Sequence, residues 1–177
     1  MAKISEVFGD LDNFKDRGEF VLMPHGTFVL AEITAVKGKE GACMVESVTK
    51  RVQAGLDGNY GSPKFWDHLN FITPKGPDPT GTEEEIKKAN MKGGMWARRV
   101  KALGIDVKDM DLDDFHNFTP EEYQDFYAPT IGRTVIIKTR LEAASGEYRA
   151  KNTASDYIPD TPKNRAKYGL ADAEVTL

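Results

Sequence analysis

The segment 27–36, TFVLAEITAV, is apolar on both sides of an extended chain, and this pattern restricts the possible folds more than any other. Ala31 and Ile33 lie on one side of the predicted strand, whereas Phe28 and Leu30 begin the other side. A strand with one side in water would alternate between apolar and polar residues. The sequence therefore predicts a sheet that is covered on both sides of this strand.

The order of the predicted elements indicates how such a sheet is built. A helical segment, 83–127, follows the third of five predicted strands, which are 27–36, 42–53, 64–73, 134–143 and 148–157. In strand 2 the alternation slips between Val45 and Val48, which predicts a bulge or a strong bend there. So few strands bury both faces of a sheet only if it curls. We therefore expect a mainly β protein, a five-stranded OB-fold barrel with a helical segment between strands 3 and 4. An open five-stranded sheet with helices on one face is the alternative.

The helical segment carries two start signals. Thr82 and Thr119 are each followed by a glutamate three residues later, which is the pattern of a capping box. The pair Gly93-Gly94 is expected to break or bend the first helix, since glycine weakens helices. Trp96 begins an apolar stripe at i, i+4 and i+7, and we expect it in the core.

Composition restricts the class of protein. A length of 177 residues suits about one domain, which we divide into an arm (1–22), a barrel domain (23–159) and a weakly structured C-terminal tail (160–177). The single cysteine, Cys43, excludes an intramolecular disulfide and a multi-cysteine zinc site. The chain has no run of 18 apolar residues and no signal-peptide pattern at its start. We therefore expect a cytoplasmic protein without a membrane partner.

Basic and aromatic residues interleave along the predicted strands and loops, as in Lys64-Phe65-Trp66. Binding a single nucleic-acid strand without base readout needs cationic side chains for the phosphates and aromatic faces for the bases. We expect bases to stack on Trp66, and on Tyr60 or Tyr148. The candidate phosphate contacts are Lys37, Lys39, Lys50, Arg51, Lys64, Lys138, Arg140, Arg149 and Lys151.

These candidates have structural alternatives. Trp66 either points outward on the polar side of strand 3 or is buried under a helix, and the pattern leaves both open. Tyr60 lies in a glycine-rich loop, where a surface role and a binding role are equally open. Tyr148 is more typical of packing at a barrel end than of a base platform. Lys138 and Arg140 are also compatible with an ordinary solvated sheet face.

Several short motifs then resemble a known family. The run Pro24-His25-Gly26-Thr27-Phe28, with Ala31-Glu32-Ile33 after it, resembles the opening of bacteriophage OB-fold single-stranded-DNA-binding proteins, a widespread phage family. Further similar runs lie within the third strand, the helix and the last two strands, at 67–71 (DHLNF), 97–104 (ARRVKALG), 131–133 (IGR) and 148–159. The resemblance spans about residues 22–159.

This resemblance implies a protein that coats single-stranded DNA, largely without sequence preference, in phage-type replication or recombination in the host cytoplasm. It implies no cofactor. Replication or recombination proteins and further copies of the chain are open as additional partners. The chain departs from the family at 171–177, which carries two acids and an aliphatic end. Many members have an acidic tail with a terminal aromatic residue there.

Charge is segregated along the chain. Residues 106–125 carry eight acids and one base, a local charge of −7, whereas residues 86–101 carry six bases and no acid. The acidic stretch would repel phosphate, so we expect it on the side away from the binding groove as a solvated helical insertion. A removable mimic of DNA is the alternative. The bases at 98, 99 and 101 either extend the cationic surface or pair with this acidic stretch.

No catalytic motif stands out. The histidines His25, His68 and His116 are widely spaced, and the adjacent Asp67 and His68 would point to opposite faces of a strand. The glycine-rich run 58–64 lacks the phosphate-binding pattern of a P-loop. We therefore expect neither an enzyme nor a metal site. The alternative class is a virion structural or assembly protein with a small β-barrel domain, which would need an apolar self-interface.

Overall fold

The computed structural model describes residues 20–70, 81–111, 114–115 and 117–172. Five strands form one sheet: β1 (Phe28–Lys39), β2 (Ala42–Val52), β3 (Lys64–Asn70), β4 (Thr134–Glu142) and β5 (Lys151–Pro159). The helices are α1 (Glu83–Ala102), α2 (Pro120–Tyr127), a 3-10 helix (Ala128–Thr130) and α3 (Pro162–Lys167). The predicted end of strand 3 at 71–73, most of the arm 1–22 and the end of the tail at 173–177 lie outside the described residues.

The sheet is antiparallel throughout, with the order β3-β2-β1-β4-β5. This confirms a mainly β protein with a helical segment between the third and fourth strands. Among the described residues no backbone ladder joins β3 to β5, so these two strands are the edges of the sheet. The sheet nevertheless curls, so that the two edge strands come close to each other.

The inner face of the sheet and the helices enclose the main core. The strands contribute alternate residues such as Ile33, Val45 and Ile137, which are buried as the period of two requires. From the helices, Trp96 is buried as the stripe predicted, and its indole N–H donates to the hydroxyl of Tyr127 at 3.1 Å. This hydrogen bond joins α1 to α2 inside the core.

A smaller cluster covers part of the outer face of the sheet. Leu170, just after α3, packs on Leu30 of β1 and Ile136 of β4, and all three are buried. The second apolar side of β1 is therefore covered by the C-terminal segment. Residues 160–172 form a helix and a turn, not the weakly structured tail that the sequence predicted.

The irregularities of the sheet differ from the prediction. Between Val45 and Val48 the side chains of β2 alternate regularly between the two faces of the sheet. The bulge at this level lies in the partner strand β1, where Thr34 is the extra residue. The extra residue of β2 is Lys50, which lies between the pairs Leu30–Arg51 and Ala31–Thr49. Both bulges increase the local twist, which helps the sheet to curl.

The last strand also begins later than predicted. β5 starts at Lys151, and Tyr148 lies in the β4–β5 hairpin, where it forms an isolated bridge with Ser145. Tyr148 and Arg149 are therefore loop residues. The interleaved run that the sequence placed at the start of the strand belongs to the hairpin loop.

Both helices that the capping boxes predicted are present. Thr82 and Thr119 accept hydrogen bonds from the third helical residue of α1 and α2. The pair Gly93-Gly94 does not break α1, which runs without interruption to Ala102. Its glycines are followed by two further turns that Trp96 and its stripe fix in the core, and this packing outweighs the low propensity of glycine. Within the described residues no helix is long and apolar enough to cross a membrane.

Candidate nucleic-acid interface

The outer face of β1, β2 and β3 carries an exposed tryptophan among basic side chains. Trp66 is 57% exposed, while its neighbours Phe65 and Leu69 point into the core. Strand pairing places Glu46 of β2 opposite Trp66. The indole therefore points outward on the polar side of β3, and of the two alternatives left open by the sequence, burial under a helix is wrong.

Glu46 fixes the orientation of the indole. The Trp66 N–H donates to Oε2 of Glu46 at 2.9 Å, and the Thr34 hydroxyl donates to Oε1 at 2.8 Å. The Lys64 ammonium lies 3.8 Å from the same carboxylate. The hydrogen bond from Thr34, that from Trp66 and the charge of Lys64 hold the pKa of Glu46 below its ordinary value. Glu46 is therefore an ionised carboxylate that holds the edge of the ring and leaves its faces open.

The other end of the same face carries a second basic group. The Lys39 ammonium lies 3.2 Å from Nε2 of His68, which follows Trp66 on the outer side of β3. Lys37 is exposed on β1 and pairs with Met44 of β2. On its other side Met44 pairs with His68 of β3, so the three residues lie in one row across the sheet. We use the name Trp66 patch for the five side chains that surround or form this site: Lys37, Lys39, Lys64, Trp66 and His68.

Two predicted phosphate contacts are held by acidic or carbonyl partners. The Lys50 ammonium lies 3.2 Å from the Glu32 carboxylate on the neighbouring strand. The Arg51 guanidinium donates to the carbonyl of Leu170 at 2.9 Å and to Asp172 at 2.7 Å. Arg51 thus fixes the C-terminal segment on the sheet, a role that the sequence did not indicate.

The remaining predicted cations form a separate group. Lys138, Arg140 and Lys151 lie on β4 and β5, with Glu142 at 2.6 Å from Arg140 and at 3.9 Å from Lys151. β1 and β2 lie between these strands and β3, and Leu170 packs on the intervening outer face. The structure therefore separates the Trp66 patch from a second set of predicted residues, and Lys50, Arg51 and Tyr60 belong to neither. We name the second set the β4–β5 group: Lys138, Arg140, Tyr148, Arg149 and Lys151.

The two predicted tyrosines differ in exposure. Tyr148 is 79% exposed in the β4–β5 hairpin, next to the exposed Arg149. Tyr60 is half-buried and packs against the core, with its ring over Gly58. Tyr148 therefore presents a free ring face, whereas Tyr60 mainly closes the loop between β2 and β3.

One exposed aromatic ring near β3 was missed by the sequence analysis. Phe20 is 61% exposed, and its ring lies against Gly61, three residues before the start of β3. The backbone N–H of Val21 donates to the carbonyl of Asn59 at 3.0 Å, which fixes this segment to the β2–β3 loop. The sequence contained no signal for this contact, because the ring of Phe20 and the loop glycine meet through the tertiary fold and not through a local pattern.

The bases near the end of α1 do not extend the Trp66 patch. Arg98 pairs with Asp156 of β5 at 3.1 Å, and Arg99 pairs with Asp67 of β3 at 2.5 Å. Both arginines thus fix α1 to the edges of the sheet. Burial raises the pKa of Asp67, and the charge of Arg99 opposes this rise. The expected separation of Asp67 and His68 is confirmed, since Asp67 lies inside and His68 outside.

The described residues contain no group of three His, Cys, Asp or Glu side chains placed to hold a metal ion. Cys43 is buried on the inner face of β2, and burial raises the pKa of its thiol to about 11. A thiol in that environment is a poor nucleophile, because the thiolate is the reactive form.

No protein-family model matches the chain, and no curated protein matches its sequence. A function is therefore argued from the residues of the Trp66 patch and their geometry. The patch combines an exposed ring with basic side chains at both ends, and the neighbouring Glu46 carboxylate orients the ring.

Proposed function

We propose that the protein binds single-stranded DNA, largely without sequence preference, and coats it during phage-type replication or recombination. Trp66 is the observation that carries this proposal. Its indole is more than half exposed, is held by Glu46 and lies between Lys64 and the Lys39–His68 pair.

The tryptophan has the features of a stacking platform. A large, flat and exposed aromatic ring offers a surface on which a base can stack. The hydrogen bond to Glu46 is made at the edge of the indole, so the faces of the ring stay available to a base. Stacking of a base on an aromatic side chain contributes about 1–3 kcal/mol and tolerates any sequence, because every base has a π-face.

Basic residues on both sides of Trp66 supply the phosphate contacts. Lys64 precedes it on β3, and Lys37 and Lys39 lie at the far end of β1. Each phosphate contact lowers the logarithm of the binding constant by about 0.7 per log unit of salt. Glu46 reduces the positive potential of this face, so the proposal requires the lysines to outweigh one fixed carboxylate.

The β4–β5 group forms a second part of the proposed path. Tyr148 and Arg149 lie on the hairpin that joins β4 to β5, and Lys151 begins β5. In an OB-fold this hairpin and the β1–β2 hairpin flank the face of strands 2 and 3 that takes oligonucleotides. Tyr148 then provides a second ring at the edge of the path.

In this proposal the sheet is an OB-fold barrel that closes between β3 and β5. The strand order, the contact between the two edge strands and the helical segment between β3 and β4 support the assignment. The side chain of Arg99 adds a bridge, since it binds Asp67 of β3 and the carbonyl of Ser155 of β5.

The test is a fluorescence-polarisation titration with labelled oligomers of dT and rU and a duplex control, at low and high salt. We expect tight binding of dT, a steep decrease with salt and weaker binding of the duplex, whose bases are already stacked. Binding of dT that is unchanged by salt, or a preference for the duplex, would contradict the proposal. Tighter binding of rU would reassign the ligand to RNA.

A further inference from the structure

Two surfaces of opposite charge lie on different helices. The first, which we name the α1 basic face, consists of exposed residues of one helix: Lys87, Lys88, Met91, Lys92 and Met95. The second, the acidic face, consists of two exposed carboxylates one helical turn apart on α2: Glu121 and Asp125.

The α1 basic face has an apolar centre. Met91 and Met95 are 60% and 43% exposed and lie one helical turn apart. Lysines surround them, and the stretch 86–101 contains no acid. Flexible methionines within a polar rim are typical of protein interfaces and are not needed by a solvated helix.

The acidic face belongs to a helix whose other side is buried. In α2, Tyr123 and Tyr127 point into the core, so Glu121 and Asp125 point to solvent. The two helices pack on different strands, α1 on β5 and α2 on β1 and β2. The bases of α1 that do form ion pairs, Arg98 and Arg99, bind β5 and β3. One copy therefore exposes both sets of charges, on two helices that pack on different strands.

We propose that the α1 basic face of one copy binds the acidic face of a second copy, so that copies associate head to tail. The alignment of copies along single-stranded DNA rests on the proposed function, whereas the contact between copies does not. A nucleic-acid strand has a direction, and copies that bind it alike all face the same way. Neighbours must then meet through two different surfaces, which is a heterologous contact that can repeat without limit.

The charges determine which surfaces meet. Opposite potentials steer two copies into this arrangement, whereas two basic or two acidic faces repel each other. The contact is exposed and should weaken when salt screens it. Bound DNA would strengthen it, because copies on one strand are held at high local concentration.

The first test is sedimentation velocity of the full chain without nucleic acid, at ionic strengths of about 0.01 M and about 1 M, where the screening length is roughly 30 Å and 3 Å. We expect concentration-dependent association at low salt only. Reversal of the basic face (Lys88→Glu with Lys92→Glu) should weaken association about tenfold or more. Reversal of the acidic face (Glu121→Lys with Asp125→Lys) should weaken it to a similar extent. A matched double reversal on α3, Lys163→Glu with Lys167→Glu, should leave it unchanged.

A mixture of the two reversed proteins is the decisive sample. Each protein alone carries two faces of the same sign and should stay monomeric. In the mixture, each face meets one of opposite charge, and association should return. A mixture that stays monomeric, or a wild type that is monomeric at low salt, overturns the proposal.

A second measurement separates this inference from the proposed function. A dT oligomer that fits one copy reports strand binding alone, and a long dT chain also reports contacts between copies. We expect the reversal on α1 to remove cooperativity on the long chain and leave the short-oligomer affinity nearly unchanged. Weaker binding of the short oligomer would instead make α1 a DNA contact and overturn the inference. If no form binds dT, the proposed function fails, and sedimentation still decides whether copies associate.

Discussion

Arg99 of α1 and Asp67 of β3 form an ion pair with 2.5 Å between Nη1 and Oδ2. The second terminal nitrogen of Arg99 donates to the carbonyl of Ser155 on β5 at 3.1 Å, and the guanidinium lies over the ring of Tyr157. One side chain therefore connects both edges of the sheet, which no backbone ladder joins among the described residues.

Replacement of Arg99 by Met should destabilise the fold by about 3 kcal/mol, because the Asp67 carboxylate then stays buried without its cation. The matched control is Arg98→Met, which removes the pair with Asp156. That pair is more exposed, so its loss should cost about 1 kcal/mol or less. Urea denaturation measures both variants. Equal midpoints for the two would contradict the assigned role of Arg99.

The loss of stability in the Arg99→Met variant should also depend on pH. Burial already raises the pKa of Asp67, and removal of Arg99 removes the charge that opposes this rise. An acid with a higher pKa in the folded state binds more protons when folded, so stability is lost as pH rises through the folded pKa. We expect the difference in free energy of unfolding between variant and wild type to be smaller near pH 4, close to the ordinary pKa of Asp, than near pH 7. Urea midpoints across this range test it, and a deficit that grows toward acid would be inconsistent.

Replacement of Trp66 by Ala should weaken dT binding by about 1–3 kcal/mol and leave the thermal midpoint nearly unchanged, since the ring is exposed. Trp66→Phe keeps an aromatic face and should retain part of the affinity. Polarisation titrations and thermal melts measure the two effects separately. A large loss of stability in Trp66→Ala would show that the ring supports the sheet and not a ligand.

Replacement of Lys64 by Ala should reduce the salt dependence of dT binding. The slope of log binding constant against log salt should become shallower by about 0.7, the value for one phosphate contact on a single strand. Lys163→Ala on α3 is the control for loss of an exposed lysine outside the patch, and its slope should match wild type. Unchanged slopes in both variants would remove Lys64 from the proposed path.

Gly38 of β1 should not tolerate a side chain. A Cβ atom there would lie 1.6 Å from the carbonyl oxygen of Pro120, the first residue of α2. Gly38→Ala should therefore destabilise the protein by about 3 kcal/mol, because α2 has to move. Gly94→Ala in α1 meets open space and should stabilise it by about 1 kcal/mol. Thermal melts compare the pair, and equal effects would contradict the close approach of α2.

Much of the sheet could be predicted because its signal is local. Alternation placed Phe65 and Leu69 inside and Trp66 on the opposite side of the strand, and the capping boxes located both helix starts. The C-terminal helix was missed, since Leu170 gains its burial from Leu30 and Ile136, which are far away in the sequence. Packing of that kind has no local signature.

The candidate site could be predicted only in part for the same reason. Strand period places Trp66 on the side of β3 opposite the core, but it leaves open whether a helix covers that side. Its hydrogen bond to Glu46 depends on the register between two strands. The separation of Lys138 from Lys64 depends on how far the sheet curls and on what covers its outer face. Composition and spacing describe neither property.

The buried thiol of Cys43 has a practical consequence for measuring this protein. It is the chain's one cysteine, and burial suppresses its ionisation. A new cysteine placed on the surface, for example at Lys163, would accept a maleimide dye or spin label alone in the native protein. Distances between labelled molecules could then be read along a strand without first removing the natural sulfhydryl.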